Sequence, residues 1–305
     1  MDSPELIILG CGSALPTTKH NLSSQVVSLR NKLYMIDCGE GTQLEFRRIK
    51  LNFNRLGHIF LSHLHGDHCF GIPGFISTLG LLGRTADLHI HAQPDAEKLF
   101  RPILDYFCKE LPYKVIFRPF NPGQNLLIHE DKSMEVYTIP LKHRVPTAGF
   151  LFVEKAKPRH IVREACNFYG VPVYRMNAIK AGADFITPDG EVIPNERLTR
   201  APEPPTKYAY CSDTAYDESI IPIIKGADLL YHEATFTGKD IARAKETFHS
   251  SAAQAAQIAC AAKVKKLLLG HFSARYPNEQ ILLTEAQAIF PNTALADEGM
   301  KVGIG

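Results

Sequence analysis

The stretch SHLHGDH, residues 62–68, is the part of the sequence on which the fold and the chemistry depend. It brings four side chains that can ionise or bind metals into one short segment: His63, His65, Asp67 and His68. Imidazoles and carboxylates are costly to bury without partners, so the stretch is poor material for a core. It is either a solvated surface loop or a set of ligands for a cation.

The spacing favours the second interpretation. His63 and His65 are two positions apart, so their side chains project to the same side of an extended backbone. We expect Gly66 to permit a sharp turn that places Asp67 and His68 in a second, adjacent pocket. Deprotonated imidazole and carboxylate bind Zn, Fe, Mn or Co. Two such ions about 3.5–4 Å apart can clamp the attacking and leaving oxygens of a displacement at phosphorus.

Alternating strand and helix patterns along the chain indicate the α/β class. Four apolar strands, in IFLSH, YTIPLKH, YAYCSD and LLLGH, end just before a histidine or an aspartate: His63, His143, Asp213 and His271. Ligand sites in open α/β sheets lie beyond the carboxyl ends of strands. We therefore expect these side chains to converge on the 62–68 segment, with Asp213 as a carboxylate that bridges two ions.

Other histidines provide a comparison. DLHIH, residues 87–91, repeats the two-residue spacing with His89 and His91, but no acid follows them. We interpret these two residues and His58 as structural. A single histidine at a strand end is also more typical of a surface or capping position, so it is the combination with the 62–68 cluster that predicts a site.

The composition bounds the class of protein. The 305 residues are 45% hydrophobic and 22% charged, and the mean hydropathy is −0.10, which is typical of one large globular domain. The first residues fit no secretory signal, and no stretch approaches the ~18 apolar residues of a membrane span. Seven scattered cysteines without a CxxC pair indicate reduced thiols in the cytoplasm and argue against a thiolate zinc site.

These motifs resemble a known family. SHLHGDH is similar to the signature of the metallo-β-lactamase superfamily, and the chain resembles the ribonuclease Z family, zinc endonucleases that remove the 3′ trailer from precursor tRNA. The resemblance rests on motifs that run in order over residues 9–276: LGCGSALPTTKHNLSS, MIDCGEGTQ, FLSHLHGDHCFGIPG, LKHRVPTAGF, YCSDT, HEATF, FHSSAAQAA and HFSARY. It implies an αβ/βα four-layer sandwich, with two mixed β-sheets and helices on both outer faces, formed by residues 1–305 as a single domain.

The resemblance also implies two zinc ions per subunit. Each ion would have three ligands of its own, and one carboxylate would bridge them. The implied ligands are His63, His65 and His143 for the first ion, Asp67, His68 and His271 for the second, and Asp213 as the bridge. His65 stands where the flavo-diiron branch of the superfamily has a glutamate, which favours a zinc hydrolase.

The implied mechanism is hydrolysis of a phosphodiester. Asp67 would also act as general base on a water made acidic by the metals. The products would be a 3′-hydroxyl on the tRNA and a 5′-phosphate on the trailer. His249 matches a histidine that stabilises phosphate charge or protonates the leaving oxygen, with Glu233 orienting it. Arg275 is expected to contact phosphate. Two alternatives stay open: a helix-start position for His249 and an exposed salt bridge for Arg275.

Residues 154–207 differ in composition from the rest and contain a basic segment. This basic segment runs from Lys155 to Gly182, and its one acid, Glu164, is outnumbered by Lys155, Lys157, Arg159, Arg163, Arg175 and Lys180. Such a segment suits contacts with backbone phosphates, although a solvated loop has the same composition. The family carries a protruding flexible arm here, which grips the tRNA body. The arm usually has a Gly-Pro pair where this chain has YGVPVY. Its length favours a homodimer in which one subunit grips while the other cuts.

Two other functions stay open from the sequence. One is a metallo-β-lactamase-fold phosphodiesterase, thioesterase or lactamase that acts on a small substrate, which needs no basic arm. The other is a non-catalytic RNA-binding protein on the same fold. Against this second alternative, every expected ligand is present. Precursor tRNA and a second subunit are the expected partners, and no membrane is expected.

Overall fold

A computed structural model describes residues 4–305 of the chain. These residues form two compact units. The larger unit consists of the residues up to Val153 together with Thr206–Gly305, and the smaller unit is Glu154–Pro205. All seven expected metal ligands belong to the larger unit, and the basic segment belongs to the smaller one.

Two seven-stranded mixed sheets form the larger unit. The strands of the chain are β1 (Glu5–Gly10), β2 (Ser24–Leu29), β3 (Lys32–Ile36), β4 (Leu56–Phe60), β5 (Leu88–Ala92), β6 (Val115–Pro119), β7 (Leu127–Glu130), β8 (Met134–Leu141), β9 (Thr147–Glu154), β10 (His160–Ile161), β11 (Phe185–Ile186), β12 (Val192–Ile193), β13 (Thr199–Arg200), β14 (Lys207–Cys211), β15 (Leu229–Glu233), β16 (Lys266–Gly270), β17 (Thr293–Leu295) and β18 (Lys301–Gly303). The first sheet has the order β18-β1-β2-β3-β4-β5-β6, and the second has the order β17-β16-β15-β14-β9-β8-β7.

Each unit has helices of its own: those between residues 163 and 198 belong to the smaller unit, and the others belong to the larger unit. The helices are α1 (Thr42–Arg48), α2 (Gly66–Cys69), α3 (Ile72–Leu81), α4 (Asp95–Phe107), α5 (Arg163–Phe168), α6 (Met176–Lys180), α7 (Asn195–Leu198), α8 (Ile221–Ile224), α9 (Ile241–Thr247), α10 (Ala252–Ala261) and α11 (Gln280–Gln287). The sequence explains the start of α10: Ser251 and Gln254 form a reciprocal capping box. Within residues 4–305 we find no helix with the length and apolar character needed to cross a membrane.

The alternation of side chains along β1 shows how the layers form. Leu6 and Ile8 lie in the core between the two sheets, whereas Ile7 and Leu9 lie in a second core with residues of α1, α3 and α4. Successive side chains of a strand face opposite sides, so one strand contributes to two cores. On the other sheet, α10 packs against β15 and β16. The predicted αβ/βα sandwich is confirmed.

Strands of both sheets end near the expected ligands. β4, β8, β14 and β16 end one to three residues before the side chains predicted at strand ends, which are His63, His143, Asp213 and His271. Between β4 and α3 lies α2, the one-turn helix that holds Asp67 and His68. The fold therefore delivers these residues to one region of the larger unit.

The smaller unit has an apolar core of its own, formed by Cys166, Val171, Ile179, Phe185, Ile193 and Leu198. Around it lie α5, α6, α7 and two short strand pairs, β10–β13 and β11–β12. In YGVPVY, Gly170 has φ 64°, a left-handed conformation that suits glycine, and Val171 packs into the core. The basic segment is therefore folded and not a loop, and contact of its charges with phosphate stays a prediction.

Candidate metal centre

Three histidines and one aspartate meet at a first candidate cation position. His63 Nε2 lies 2.9 Å from His65 Nδ1, and His143 Nε2 lies 3.4 Å from the same nitrogen. Asp213 Oδ2 is 3.6 Å from His63 Nε2 and 3.7 Å from His143 Nε2. One ligand atom of each residue lies within 4.8 Å of the other three, so the four can reach one ion.

Asp67, His68 and His271 meet at a second position. His68 Nε2 lies 3.4 Å from His271 Nε2, and Asp67 Oδ2 lies 3.5 Å and 3.6 Å from these two nitrogens. Asp213 Oδ1 is 3.2 Å from His68 Nε2 and 3.0 Å from His271 Nε2. The two oxygens of Asp213 thus face different groups, which is the arrangement that a bridging carboxylate requires.

Gly66 does not form the sharp turn that the sequence analysis expected. It is the first residue of α2, with His65 as the N-cap, and its φ is not positive. A Cβ on Gly66 would lie 2.4 Å from the ring of Phe70. Glycine leaves space beside that exposed ring, and the turn of helix α2 is what separates Asp67 from His65.

Hydrogen bonds from the ring nitrogens opposite the centre fix the orientation of two histidines. His68 Nδ1 donates to Asp37 Oδ2 over 2.7 Å, and His143 Nδ1 donates to the carbonyl of Phe248 over 3.0 Å. Because Nδ1 carries the proton in each ring, Nε2 is left with its lone pair for a cation. Such outer contacts set the tautomer and basicity of metal-binding histidines.

Asp37 was not assigned a role from the sequence. It is fully buried, its Oδ1 accepts the backbone N–H of Ser62 over 2.7 Å, and its Oδ2 accepts the hydroxyl of Tyr210 over 2.7 Å as well as the His68 ring. The signal available was the same as for Asp213, because Asp37 directly follows the apolar strand β3. Asp37 positions a candidate ligand and also holds α2 against β3.

Three of the residues at this centre share a left-handed backbone. Asp37, Asp213 and His271 have φ of 55°, 57° and 58°. Residues other than glycine adopt this region rarely, and it costs of order 1–3 kcal/mol for each. All three directly follow or lie two residues beyond a strand, so the strain is concentrated where strands deliver side chains to the centre.

The electrostatics of the centre fit a divalent cation. Burial opposes protonation of His68, but the carboxylates of Asp213, Asp67 and Asp37 outweigh it and hold its pKa well above the usual range. The same carboxylates would stabilise a metal ion in the place of that proton. Burial raises the carboxyl pKa of Asp213 and Asp67, yet the surrounding imidazoles lower both below their usual range. Ionised carboxylates and imidazole nitrogens are the donor set that zinc accepts.

His249 lies beside the two groups. Its ring centroid is 5.0 Å from that of His143 and 5.5 Å from that of His271. Its Nδ1 donates to Oε1 of the fully buried Glu233 over 2.9 Å. Burial disfavours the charged imidazole, but the Glu233 carboxylate prevails and raises the pKa of His249 to about 9. Because the N-cap of α10 is Ser251, His249 is not a helix-start residue.

A cleft of about 610 Å³ opens over the centre. Asp67 and His249 line it, and so do two arginines that the sequence analysis did not assign, Arg144 and Arg243. Both are exposed. Arg144 donates to the backbone carbonyl of Glu246, and Arg243 donates to the side-chain carboxylate of the same residue. The signal for Arg144 was its position directly after His143; Arg243 had no signal in the sequence.

Arg275 lies elsewhere. Its Nη1 is 3.5 Å from Asp240 Oδ1, and its guanidinium stands 5.4 Å from the ring centroid of Phe236. It does not line the cleft. The geometry matches the exposed salt bridge considered as the alternative for this residue.

The basic residues of the smaller unit divide into two groups. Lys155, Lys157 and Arg159 are half-buried; Lys157 pairs with Glu154 at 3.2 Å, and Arg159 donates to Thr199 Oγ1 over 2.7 Å. The exposed group consists of Arg163, Arg175 and Lys180 within the basic segment, and of Arg197 and Arg200 beyond it. This second group presents more of its surface to solvent than the first.

Comparison with known proteins places the chain among close relatives. It is 62% identical over 304 residues to a protein named Ribonuclease Z from Bacteroides thetaiotaomicron. The alignment covers 100% of this chain and 96% of the relative. A protein of the same name from Parabacteroides distasonis is 61% identical over 300 residues, and the alignment covers 98% of this chain and 99% of the relative. A family model described as Anti-Pycsar protein Apyc1 matches residues 4–101.

Solved structures show the same fold at low sequence identity. The short form of human tRNase Z superposes with a TM-score of 0.72 at 23% identity and covers 99% of both chains. The metallo-β-lactamase fold protein YhfI from Bacillus subtilis superposes with a TM-score of 0.68 at 20% identity, again covering 99% of both chains.

Proposed function

The chain belongs to the ribonuclease Z family, and from this premise we propose how its residues perform the family's reaction. Its function is that of a metal-dependent endoribonuclease in tRNA 3′ processing, as the sequence predicted. The small-substrate hydrolase and the non-catalytic RNA-binding protein are both set aside by relatives of this identity over the full chain.

We propose zinc as the metal, with two ions at the centre. His63, His65 and His143 would hold one ion, Asp67, His68 and His271 the other, and Asp213 would bridge them. The observation that carries the proposal is that Asp213 directs one oxygen to each group. When bound, two zinc ions supply Lewis acidity that makes a water acidic near neutral pH and offsets charge on the phosphate.

Asp67 is proposed as the residue that orients the attacking water and accepts its proton. Its carboxylate lines the cleft, and its Oδ2 is held by the backbone N–H of Ala14 over 2.8 Å. The lowered carboxyl pKa keeps it ionised at neutral pH. A fixed carboxylate at this position can accept a hydrogen bond from a water aimed at phosphorus.

His249 is proposed as the acid for the leaving group. As water adds to phosphorus, the bond from phosphorus to the 3′ oxygen of the tRNA breaks, and that oxygen takes a proton. His249 carries one at neutral pH because Glu233 raises its pKa to about 9. The products are a 3′-hydroxyl on the tRNA and a 5′-phosphate on the trailer. Glu233 acts through His249 and is a positioning residue.

The smaller unit is proposed as the part that binds the tRNA body. Arg163, Arg175 and Lys180 present exposed charge for backbone phosphates. Five of the acids in the unit follow this segment, at Asp184, Asp189, Glu191, Glu196 and Glu203. Only Arg197 and Arg200 oppose these acids, so the net positive charge of the unit lies in its first part. Arg275 was predicted as a phosphate contact, but its pairing with Asp240 favours Arg144 and Arg243 for that role.

We propose a homodimer and a cytoplasmic location. Helices α3 and α4 contact each other, and large apolar side chains are exposed at their C-terminal ends: Leu81, Leu82, Tyr106 and Phe107. Exposed apolar side chains of this size are typical of a protein–protein interface when they form one patch. The seven cysteines are all free thiols, as in proteins of a reducing compartment. Sedimentation of the wild type and of Phe107→Ser tests the dimer, which the substitution should weaken.

Metal analysis tests the central proposal. Asp213→Ala removes the bridge, so the variant should retain less zinc than the wild type after dialysis and should lose cleavage of precursor tRNA. Asp228→Ala removes a carboxylate that instead accepts from the backbone of Lys207 and serves as the control. Equal zinc retention by Asp213→Ala and the wild type would exclude a bridging role.

A further inference from the structure

A second group of histidines lies on other strands of the larger unit. His58 on β4, His91 on β5 and His129 on β7 each offer one ring nitrogen within 4.8 Å of the other two. β4 and β5 belong to the first sheet, and β7 belongs to the second. The group therefore joins the two sheets of the sandwich. The sequence pattern indicates structural roles for His58 and His91 and predicts nothing for His129.

The rings are spaced as ligands of one ion. His58 Nδ1 and His91 Nε2 are 3.1 Å apart, and the ring centroids of His58 and His129 are 4.0 Å apart. Zinc–nitrogen bonds of about 2.0–2.1 Å in a tetrahedral site separate two ligand nitrogens by about 3.3 Å. The two nitrogens on the first sheet have nearly this separation. The third ring belongs to the second sheet and offers a nitrogen within 4.8 Å of both.

Two nitrogens in the group are buried without a hydrogen-bond partner. They are His91 Nδ1 and His129 Nε2, in side chains that are 4% and 9% exposed. Asp131 Oδ2 lies 3.6 Å from His129 Nε2, but it already accepts from Lys32 Nζ and Tyr34 Oη, each over 2.7 Å. Buried polar nitrogens are normally paired. Among the described residues Gln25 Nε2 and Tyr231 Oη also lack a partner, but this group contributes two such atoms. Because His91 faces His58 with Nε2, its Nδ1 keeps the ring proton, and His129 Nε2 is the nitrogen that a cation would pair.

The rings are neutral, which is the form that binds metals. Burial lowers the pKa of His58 to about 3 and that of His91 to about 2, and repulsion from the neighbouring imidazoles acts in the same direction. Burial also lowers the pKa of His129. Each ring therefore keeps one nitrogen with a free lone pair at neutral pH, and three such nitrogens converge.

We propose that His58, His91 and His129 bind a divalent cation of the zinc class at a structural site. An all-imidazole set suits zinc, copper or nickel and disfavours magnesium or calcium. The ion would link β4 and β5 of the first sheet to β7 of the second. It would also steady β4, whose carboxyl end delivers His63. This site shares no ligand with the catalytic centre, so it does not depend on the mechanism proposed above.

His89 provides a matched control. It lies on β5 two residues from His91, and its ring stacks on His58 with centroids 5.0 Å apart. It receives a hydrogen bond from Arg118 Nε over 3.5 Å and does not belong to the ligand group. A substitution at His89 therefore perturbs the same packing without removing a ligand.

The test is a count of zinc ions per chain in the full-length protein, loaded with zinc and freed of excess by gel filtration. His129→Phe and His91→Phe keep a ring in place and should each hold one ion fewer than the wild type. His89→Phe should hold the wild-type number. Native mass spectrometry and elemental analysis give the count, and circular dichroism checks the fold. His129→Asn, which leaves room at the site, replaces any phenylalanine variant that does not fold.

A second readout separates this site from the catalytic centre. Cleavage of precursor tRNA by His129→Phe at saturating zinc should stay within about twofold of the wild type, while the zinc-dependent rise in melting temperature becomes smaller. Equal zinc counts in the wild type, His129→Phe and His129→Asn would overturn the proposal. So would an identical loss of one ion in His89→Phe, because it would show a general effect of packing.

Discussion

Asp37 and His68 are joined by a hydrogen bond of 2.7 Å between Oδ2 and Nδ1, and both side chains are fully buried. Asp37 is not a proposed ligand, yet it fixes the ring that is. The bond leaves His68 Nε2 directed at Asp213 Oδ1, 3.2 Å away. We therefore expect the metal affinity of the proposed centre to depend on a carboxylate outside it.

Asp37→Asn tests this dependence. The substitution keeps the shape of the side chain and removes its charge, so His68 becomes a weaker ligand. Loss of such an outer partner typically lowers metal affinity by about 10–100-fold. Titration of the apo protein with zinc against a competing chelator measures the effect, and excess zinc should restore part of the cleavage. Asp228→Asn is the control, and equal zinc affinity in Asp37→Asn and the wild type would contradict the account.

The sequence allowed the fold and most of the centre to be predicted because the signals are local. Each expected ligand lies in the 62–68 segment or just after an apolar strand, and the period of two along strands such as β1 is readable in the sequence. Side chains delivered by strand ends then meet by topology alone. In the structure, His143, Asp213 and His271 lie around the 62–68 segment as expected.

What the sequence did not predict depends on contacts between distant residues. Asp37 follows a strand just as Asp213 does, but its role is set by the approach of α2, which local sequence does not encode. The core of the smaller unit uses apolar residues such as Cys166 and Ile179 without a regular period, so composition alone suggested a loop. Gly66 leaves room for the ring of Phe70, a side-chain contact rather than a backbone turn.

Glu233→Gln is expected to change the pH dependence of cleavage. In the wild type, His249 has a raised pKa of about 9, so the acid is fully protonated near neutral pH and is lost as pH rises through 9. Without the Glu233 charge the pKa falls, and the alkaline limb of the rate profile moves to lower pH. The His249–Glu233 pair also contributes to the free energy of unfolding. This contribution is complete below pH 6.5, the ordinary histidine pKa, and is lost as pH rises through about 9.

Single-turnover rates from pH 6 to 10 measure that limb. Glu218→Gln removes an exposed carboxylate that is bonded to Tyr216 and serves as the control. If Glu233→Gln and the wild type show the same alkaline limb, His249 is not the acid.

Replacing the smaller unit should separate RNA binding from chemistry. Val153 and Lys207 are Cα partners in the antiparallel pair β9–β14, so a short Gly-Ser turn can replace the intervening segment Glu154–Pro205. We expect this variant to hydrolyse bis(p-nitrophenyl) phosphate at the wild-type rate and to lose cleavage of precursor tRNA. Loss of both activities in a folded variant, or retention of both, would argue against a binding role for the unit.

Charge reversal within the unit tests the same role more finely. Arg163→Glu, Arg175→Glu and Lys180→Glu together should weaken binding of precursor tRNA and flatten its dependence on salt, because fewer counterions are released. Lys301→Glu reverses an exposed charge on β18, in the larger unit, and is the control. Binding is measured at salt concentrations from about 50 to 200 mM. The slope of the logarithm of the binding constant against the logarithm of salt concentration is then compared between the variants and the wild type.

The two cleft arginines should affect the reaction more than Arg275 does. Arg144→Gln and Arg243→Gln each remove a charged donor that can reach a phosphate, which corresponds to a loss of about tenfold or more in kcat/KM. Arg275→Gln should stay near the wild-type value because its partner is Asp240. Steady-state cleavage of precursor tRNA measures all three, and a larger loss for Arg275→Gln would reverse the assignment.

The most direct test of the central claim is to map both product ends after the zinc-loaded protein cuts a precursor tRNA that carries a 3′ trailer. The wild type should give a 3′-hydroxyl on the tRNA and a 5′-phosphate on the trailer. Asp67→Ala should fold normally and cut at least about 100-fold more slowly, as expected for loss of a general base. Cleavage by Asp67→Ala at the wild-type rate, or a phosphate left on the tRNA end, would contradict the mechanism.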